Sequence, residues 1–152
     1  MELEFEMKAP LDEGVRRRLD EFALVFNSPS IQEDVYYDLS DGSLYRIGIF
    51  LRLRNHSRME LKYTPDPKDI SHSHSVEHGY PWPLSRPSEQ QLMSLLGQLT
   101  QQDWDLASLQ PFITVRKERS IAHWGSVAIA LDHVEGLGDF VEIEVNDSAD
   151  AL

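Results

Sequence analysis

Charged side chains of one sign recur along this sequence as pairs spaced two residues apart. Glu4 and Glu6 form the first acidic pair, and Glu142 and Glu144 form the last one. Residues two apart in an extended strand share a face and lie about 6.6–6.8 Å from each other. Carboxylates at that distance can both reach a hard divalent cation, which prefers oxygen ligands. The acidic pairs therefore predict a metal site.

Basic pairs lie between the acidic ones. Arg52 and Arg54 share one face of a predicted strand, and Lys117 and Arg119 share a face of another. Guanidinium forks and lysine ammonium groups bind phosphate oxygens. Because the paired charges on each strand have one sign, the pattern predicts a metal site beside an anion site. The candidate phosphate-binding residues are Lys8, Arg52, Arg54, Lys62, Lys117 and Arg119.

A solvent-exposed face is the simpler interpretation of any single pair. Charged residues are mostly exposed, and Leu3, Phe5 and Met7 would then form a core beneath the first strand. The recurrence of the pattern on several strands favours inward-facing charges instead. Asp132 agrees with this interpretation, because the alanines that share its face leave room for a ligand in a crowded interior.

The composition limits the classes of protein to be considered. The chain has 152 residues, a net charge of −12 at pH 7 and no cysteine, so residues 1–152 are treated as one domain. The acidic charge argues against nucleic acid as a partner, and the lack of cysteine excludes disulfides and thiolate metal sites. No apolar run approaches the ~18 residues of a membrane span. The acidic N-terminus is unlike a secretory signal, and a cytoplasmic location fits.

Hydrophobic periodicity predicts the elements that position these charges. Helices are expected over residues 12–26 and from Ser88 onwards, with a helical turn near residues 102–108. Short turns between successive strands imply antiparallel pairing, and eight antiparallel strands can close into a barrel. The predicted fold is therefore α+β, a closed eight-stranded antiparallel barrel with flanking helices. The expected strands cover residues 2–8, 31–38, 48–55, 58–64, 75–80, 111–121, 125–133 and 139–146.

Six short motifs follow one another in order along the chain. They are Glu4-x-Glu6-x-Lys8, Gln32-x-Asp34-x-Tyr36-x-Asp38, Gly48-x-x-Leu51-Arg52-x-Arg54, Lys62 before Pro65, Lys117-x-Arg119, and the closing stretch 131–144. In these residues the chain resembles the CYTH superfamily, which groups class IV adenylyl cyclases with thiamine triphosphatases and inorganic triphosphatases. The closing stretch is most similar to the cyclase branch.

The resemblance implies a triphosphate bound in a tunnel through the barrel. It implies Mg²⁺ or Mn²⁺ held mainly by four glutamates, with an aspartate contributing. In hydrolytic relatives, a lysine and a tyrosine that match Lys62 and Tyr36 help to activate water. The substrate would be tripolyphosphate, thiamine triphosphate or ATP, and a homodimer is compatible with the family. The implied metal ligands are Glu4, Glu6, Asp132, Glu142 and Glu144.

The chain departs from the family pattern in two places. Many relatives carry Arg-x-Glu on the fifth strand, whereas this chain has Ser75 two residues before Glu77. We therefore expect one phosphate contact to be missing or replaced by His74 or His78. Relatives also continue into a C-terminal helix, and we expect this chain, which stops at Leu152, to lack that helix.

Four other aromatic and imidazole side chains are candidates for contacts with a ligand. Trp82 and Trp104 are expected to pack in the core or a lid rather than stack on a base or a thiamine ring. His72 and His74 lack a third ligand nearby, so solvated loop positions are favoured over a metal site.

Three functions are compatible with these features. The first is metal-dependent hydrolysis of a triphosphate, and the second is cyclisation of ATP to cyclic AMP and pyrophosphate. The third is binding of polyphosphate without catalysis. We favour them in this order, because a His-Phe pair found before the first acidic strand of some cyclases is missing here.

Overall fold

The computed structural model describes residues 2–66, 68, 69 and 74–147 of the chain. The candidate residue His72 lies outside these ranges. The strands are β1 (Glu2–Pro10), β2 (Ser30–Asp38), β3 (Ile49–Arg54), β4 (Arg58–Tyr63), β5 (His74–Pro81), β6 (Gln110–Trp124), β7 (Val127–Val134) and β8 (Gly138–Asp147). The helices are α1 (Glu13–Asp20), α2 (Ser43–Arg46) and α3 (Arg86–Thr100), followed by a 3₁₀ turn at Leu106–Ser108.

The eight strands form a closed barrel in the order β1-β5-β4-β3-β2-β6-β7-β8. Every neighbouring pair is antiparallel. Closure gives each strand two partners, so the sheet has no exposed edge. The predicted fold class is therefore confirmed.

The larger hydrophobic core lies outside the barrel, between the sheet and α3. Leu51 and Leu53 of β3 and Leu61 of β4 pack with Leu92 and Leu96 of α3, and each is at most 4% exposed. Burying such a side chain contributes about 1.5–3 kcal/mol. Successive residues of a strand face opposite sides, so this outward leucine face turns the charged residues of the same strands inward.

A smaller core covers another part of the barrel wall. Leu11, Ile129 and Val141 are buried there, and Val15 and Leu19 of α1 pack against them. The two cores stabilise the barrel from outside. The interior is thus left to polar and charged side chains.

Trp82 and Trp104 pack against the larger core. The predicted core packing of both tryptophans is therefore confirmed.

The first helix is shorter than predicted. Asp12 accepts a hydrogen bond from the backbone of Val15 at 2.8 Å and caps the N-terminus of α1, which ends at Asp20. The apolar spacing continues to residue 26, but Ala23 has φ of 49°. Phe26 packs against the smaller core from outside the helix, so tertiary contacts replace helical geometry there.

Two further helices differ from the sequence predictions. Helix α3 begins at Arg86, because Ser85 rather than Ser88 provides the N-cap. The short α2 was not predicted. It is initiated by Asp38, whose carboxylate accepts hydrogen bonds from the backbone of Leu44 and Tyr45, each at 2.9 Å.

Within the described ranges, no helix combines the length and apolar character needed to cross a membrane.

Candidate active site

The inward faces of the strands line a cavity of about 490 Å³. Every site residue predicted from the sequence contributes to its wall, from the acidic residues of β1 and β8 to the basic residues of β3 and β6. Six acidic and six basic side chains line the cavity. The acidic ones are Glu4, Glu6, Asp34, Asp132, Glu142 and Glu144, and the basic ones are Lys8, Arg52, Arg54, Lys62, Lys117 and Arg119.

Three carboxylates converge on one part of the wall. Glu6, Glu142 and Glu144 each offer an oxygen atom, and these atoms lie within 4.8 Å of one another. The ladder between β1 and β8 produces this group, because it places Glu6 opposite Glu144 and Lys8 opposite Glu142. We call Glu6, Glu142 and Glu144 the carboxylate trio.

The chemistry of the carboxylate trio fits a hard divalent cation. Burial would raise the pKa of Glu142, but the charges of Arg119, Lys8 and Lys117 outweigh it and lower that pKa to about 2. Glu142 is therefore ionised at neutral pH. Carboxylate oxygens from two adjacent strands can bind such an ion together, as Mg²⁺ sites commonly use one or two carboxylates plus substrate oxygens.

Lys62 connects the carboxylate trio to Glu4. Its Nζ lies 2.9 Å from Glu4 Oε2 and 2.9 Å from Glu6 Oε2. Burial disfavours the charged amine, but Glu6 and Glu4 outweigh this effect and raise the pKa of Lys62. The side chain is therefore an ammonium group that donates hydrogen bonds. Glu4 was predicted as a metal ligand, and in this arrangement its carboxylate binds Lys62.

Asp132 lies among cations. Arg119 donates two hydrogen bonds of 2.7 Å to its carboxylate, and Lys117 donates one of 3.2 Å. Arg119 also reaches Glu142 at 3.0 Å. Burial and the Arg119 charge lower the pKa of Lys117, although Asp132 and Glu142 oppose this. Asp132 thus binds both members of the basic pair of β6, and Arg119 contacts the carboxylate trio directly.

The basic pair of β3 is engaged by buried carboxylates. Arg54 binds Asp34 through two hydrogen bonds of 2.8 and 2.9 Å. Arg52 donates to Glu60 at 2.8 Å and to Glu77 at 3.4 Å. Burial would raise the pKa of Asp34, but Arg54 and Arg52 lower it overall. We call Arg52, Arg54, Asp34, Glu60 and Glu77 the arginine cluster.

Sequence reasoning did not assign roles to the acidic members of the arginine cluster. Glu60 shares its strand face with Lys62, and the register places it directly opposite Arg52. Asp34 is likewise opposite Arg54. The alternation of each strand indicates that Asp34 and Glu60 face inward. Which basic residue each one pairs with depends on the register between strands, which the alternation does not give.

The two predicted catalytic residues lie on different parts of the wall. Tyr36 is the cross-strand neighbour of Arg52, whereas Lys62 binds Glu4 and Glu6. Both line the cavity.

The fifth strand corrects one expectation. Ser75 lines the cavity and is 2% exposed. His74 instead packs edge-on against Phe5, with ring centroids 4.7 Å apart, and His78 stacks on Tyr63 and lines a separate groove beside α3. Neither His74 nor His78 lines the cavity, so the prediction that one of them replaces the phosphate contact was wrong. The other alternative, that the contact is missing, stays a prediction.

The chain matches the CYTH domain over residues 2–152 and belongs to this family. A search of curated proteins found no match.

Solved structures share the fold. The PH1819 protein from Pyrococcus horikoshii OT3 is 26% identical with a TM-score of 0.62, over 93% of this chain and 77% of that one. A conserved hypothetical protein from Pyrococcus furiosus is 22% identical with a TM-score of 0.61, over 96% and 80% respectively. The candidate adenylyl cyclase HpAC1 from Hippeastrum, described as having a dominant triphosphatase activity, is 19% identical with a TM-score of 0.58, over 97% and 80%.

Proposed function

We propose that this chain is a divalent-metal-dependent triphosphate phosphohydrolase. The observation that carries the proposal is the convergence of the carboxylate trio within 4.8 Å in a cavity that basic side chains also line. Membership of the CYTH family agrees with it. The triphosphatase activity described for the structurally similar Hippeastrum protein gives further support.

Charge balance explains why a metal would be needed. The six acidic and six basic side chains of the wall balance formally, so the protein supplies no surplus positive charge. A triphosphate carries several negative charges, and burying them unpaired is very costly. Mg²⁺ or Mn²⁺ would neutralise phosphoryl oxygens and make the terminal phosphorus easier to attack. We propose the carboxylate trio as its main ligands, with Glu4 and Asp132 as adjoining ligands.

The basic residues would bind the phosphate chain. Lys8 is 49% exposed at its side chain and already contacts Glu142, so it lies beside the proposed metal site. Arg119 contacts the same carboxylate directly, and Lys117 shares Asp132 with Arg119. Arg52 and Arg54 would contact phosphoryl oxygens with the donors that their carboxylate partners leave available.

Lys62 and Tyr36 are the proposed residues for water activation. The Lys62 ammonium group, held between Glu4 and Glu6, would donate a hydrogen bond that orients the water or stabilises the attacked phosphoryl group. Hydrolysis forms a bond from the water oxygen to the terminal phosphorus and breaks the bridging P–O bond, and the proton that the water loses passes to a phosphate oxygen of the products or to solvent. The products are inorganic phosphate and a diphosphate.

Cyclisation of ATP is the second candidate, and the closing stretch 131–144 favours it through its resemblance to the cyclase branch. The two reactions give different products from the same incubation. Purified protein is mixed with tripolyphosphate, thiamine triphosphate or ATP, with Mg²⁺, with Mn²⁺ or with neither. We expect metal-dependent phosphate release. Cyclic AMP with pyrophosphate would instead support the cyclase, and binding without turnover would support a binding module.

A further inference from the structure

Ser75 is a buried polar residue in the cavity wall with an unused hydrogen-bonding group. Its side chain faces the cavity from β5 and is 2% exposed. Among the buried side-chain atoms that the structure describes, only Ser75 Oγ and His78 Nε2 have no hydrogen-bond partner. His78 belongs to the outer groove beside α3, so Ser75 is the one of these two that faces the proposed site.

An unpaired buried hydroxyl is unfavourable, and such groups normally bind a ligand, a water molecule or another protein atom. The nearest charged groups contact each other. Glu4 lies directly opposite Ser75 in the ladder between β1 and β5, and the Glu4 carboxylate accepts a hydrogen bond from Lys62 at 2.9 Å. The hydroxyl of Ser75 is therefore a donor next to an engaged ion pair.

The position of Ser75 indicates what it would bind. Side chains that are directly opposite each other in an antiparallel pair have Cβ atoms about 4.5–5.5 Å apart, so Ser75 adjoins Glu4 and, through it, Lys62. The hydroxyl makes no hydrogen bond to Glu4 or to any other protein group that the structure describes, so it remains available as a donor to a ligand. A phosphoryl oxygen beside Lys62 has the required chemistry, because it accepts hydrogen bonds from both groups.

We infer that the Ser75 hydroxyl donates a hydrogen bond to a non-bridging phosphoryl oxygen of the triphosphate bound beside Lys62. The inference rests on the proposed function and adds a substrate contact to it. The contact is uncharged, so it strengthens binding without disturbing the balance of acidic and basic side chains in the wall.

Ser75→Ala separates this role from a structural one. If the hydroxyl binds only the substrate, it does not stabilise the protein without ligands. The melting temperature of Ser75→Ala without metal and substrate should therefore equal or exceed that of the wild type. The kcat/KM for tripolyphosphate should fall about tenfold, the effect of losing one hydrogen bond to a charged group. Ser75→Thr keeps the hydroxyl and should restore most of the loss. His78→Gln, at the other unpaired atom, is the matched control and should leave kcat/KM unchanged.

A titration of Mg²⁺ distinguishes a phosphate contact from a metal contact. The cation concentration for half-maximal activity should be the same in wild type and Ser75→Ala. A large increase in that concentration would overturn the phosphate assignment, since it would place the hydroxyl on the metal. A lower melting temperature of the empty variant, with unchanged kcat/KM per folded molecule, would show a structural role and also overturn it.

The outcome for the wild type keeps the two proposals apart. Wild-type turnover together with equal turnover in Ser75→Ala would overturn only the Ser75 contact. If the wild type neither binds nor hydrolyses any triphosphate with either metal, the proposed function fails and the Ser75 contact fails with it.

Discussion

The carboxylate trio and the arginine cluster are both built from paired charges inside one barrel, yet they differ in how those charges are compensated. In the arginine cluster, Arg54 is matched by Asp34 through a two-pronged hydrogen bond, and Arg52 is matched by Glu60. In the carboxylate trio, Glu6 contacts Lys62 and Glu142 contacts Lys8 and Arg119, yet one oxygen of each of the three carboxylates still lies within 4.8 Å of the others. The arginine cluster is thus matched residue by residue within the protein, whereas the carboxylate trio brings three carboxylate oxygens close enough to share a cation.

The difference explains how one interior combines rigidity with binding. Buried ion pairs with good geometry hold β2, β3 and β4 in register and orient the guanidinium groups. Carboxylates that repel one another gain free energy when a divalent ion joins them. Removing a charge should therefore cost more stability in the arginine cluster than in the carboxylate trio.

The largest expected change in stability follows from Asp34→Ala. Asp34 is 2% exposed, and its loss leaves Arg54 without its carboxylate in the cavity wall. Breaking a buried pair in this way costs about 3–5 kcal/mol. Urea unfolding of the metal-free protein should show this decrease, whereas Glu6→Gln in the carboxylate trio should cost much less, because Lys62 keeps Glu4 as a partner and the carboxylates repel one another less. A similar loss in both variants would contradict the contrast.

Arg52→Lys should have an intermediate effect. The charge is kept, but an ammonium group cannot reproduce the guanidinium contacts with both Glu60 and Glu77. We expect KM for tripolyphosphate to rise about tenfold, with a smaller change in kcat, because a ground-state contact is weakened. Steady-state kinetics checks this, with exposed Arg17→Lys in α1 as the control. An unchanged KM would mean that Arg52 serves only the protein's own carboxylates.

The smallest expected effect concerns the pH dependence of the arginine cluster. Burial raises the pKa of Glu77 to about 7, with Arg52 opposing the rise and Glu60 and Glu4 adding to it. In the unfolded chain the same carboxyl titrates near 4.5, so between these values the folded state binds more protons. The contribution of the Glu77 carboxyl to the free energy of unfolding is therefore present at lower pH and is lost as the pH rises towards 7.

Glu77→Gln removes this titration. The stability of the metal-free wild type relative to Glu77→Gln should fall by on the order of 1 kcal/mol between about pH 5 and pH 7.5. Urea unfolding at both pH values measures it. A difference that stays constant with pH would show that Glu77 is ionised throughout this range.

The inward direction of the charges could be predicted from the sequence, whereas their partners could not. Alternation placed Glu6 on one face with Glu4 and Glu144 on one face with Glu142, and the recurrence of one-sign pairs on several strands favoured the cavity side. The eight predicted strands with short turns implied the barrel. The partners of Arg52 are Glu60 and Glu77. They lie on other strands, and which residue stands opposite depends on a register that each strand's own pattern leaves open.

Helix α2 and the end of helix α1 could not be predicted from the sequence pattern, for related reasons. Helix α2 has four residues, too few for a periodic pattern, and it depends on hydrogen bonds to Asp38 from a preceding strand. The helix α1 pattern extended beyond Asp20 because Phe26 packs on the same core without being helical. In both cases, tertiary contacts decided the local structure.

Phosphate release from tripolyphosphate by the wild type and by Glu144→Gln is the most direct test of the central claim. The claim is that the carboxylate trio holds a divalent cation that hydrolysis requires. Glu135→Gln, whose side chain is 75% exposed, is the control. The account predicts turnover by the wild type and Glu135→Gln only with Mg²⁺ or Mn²⁺, and at least a hundredfold less by a folded Glu144→Gln. Equal metal-dependent turnover by Glu144→Gln and the wild type would contradict it.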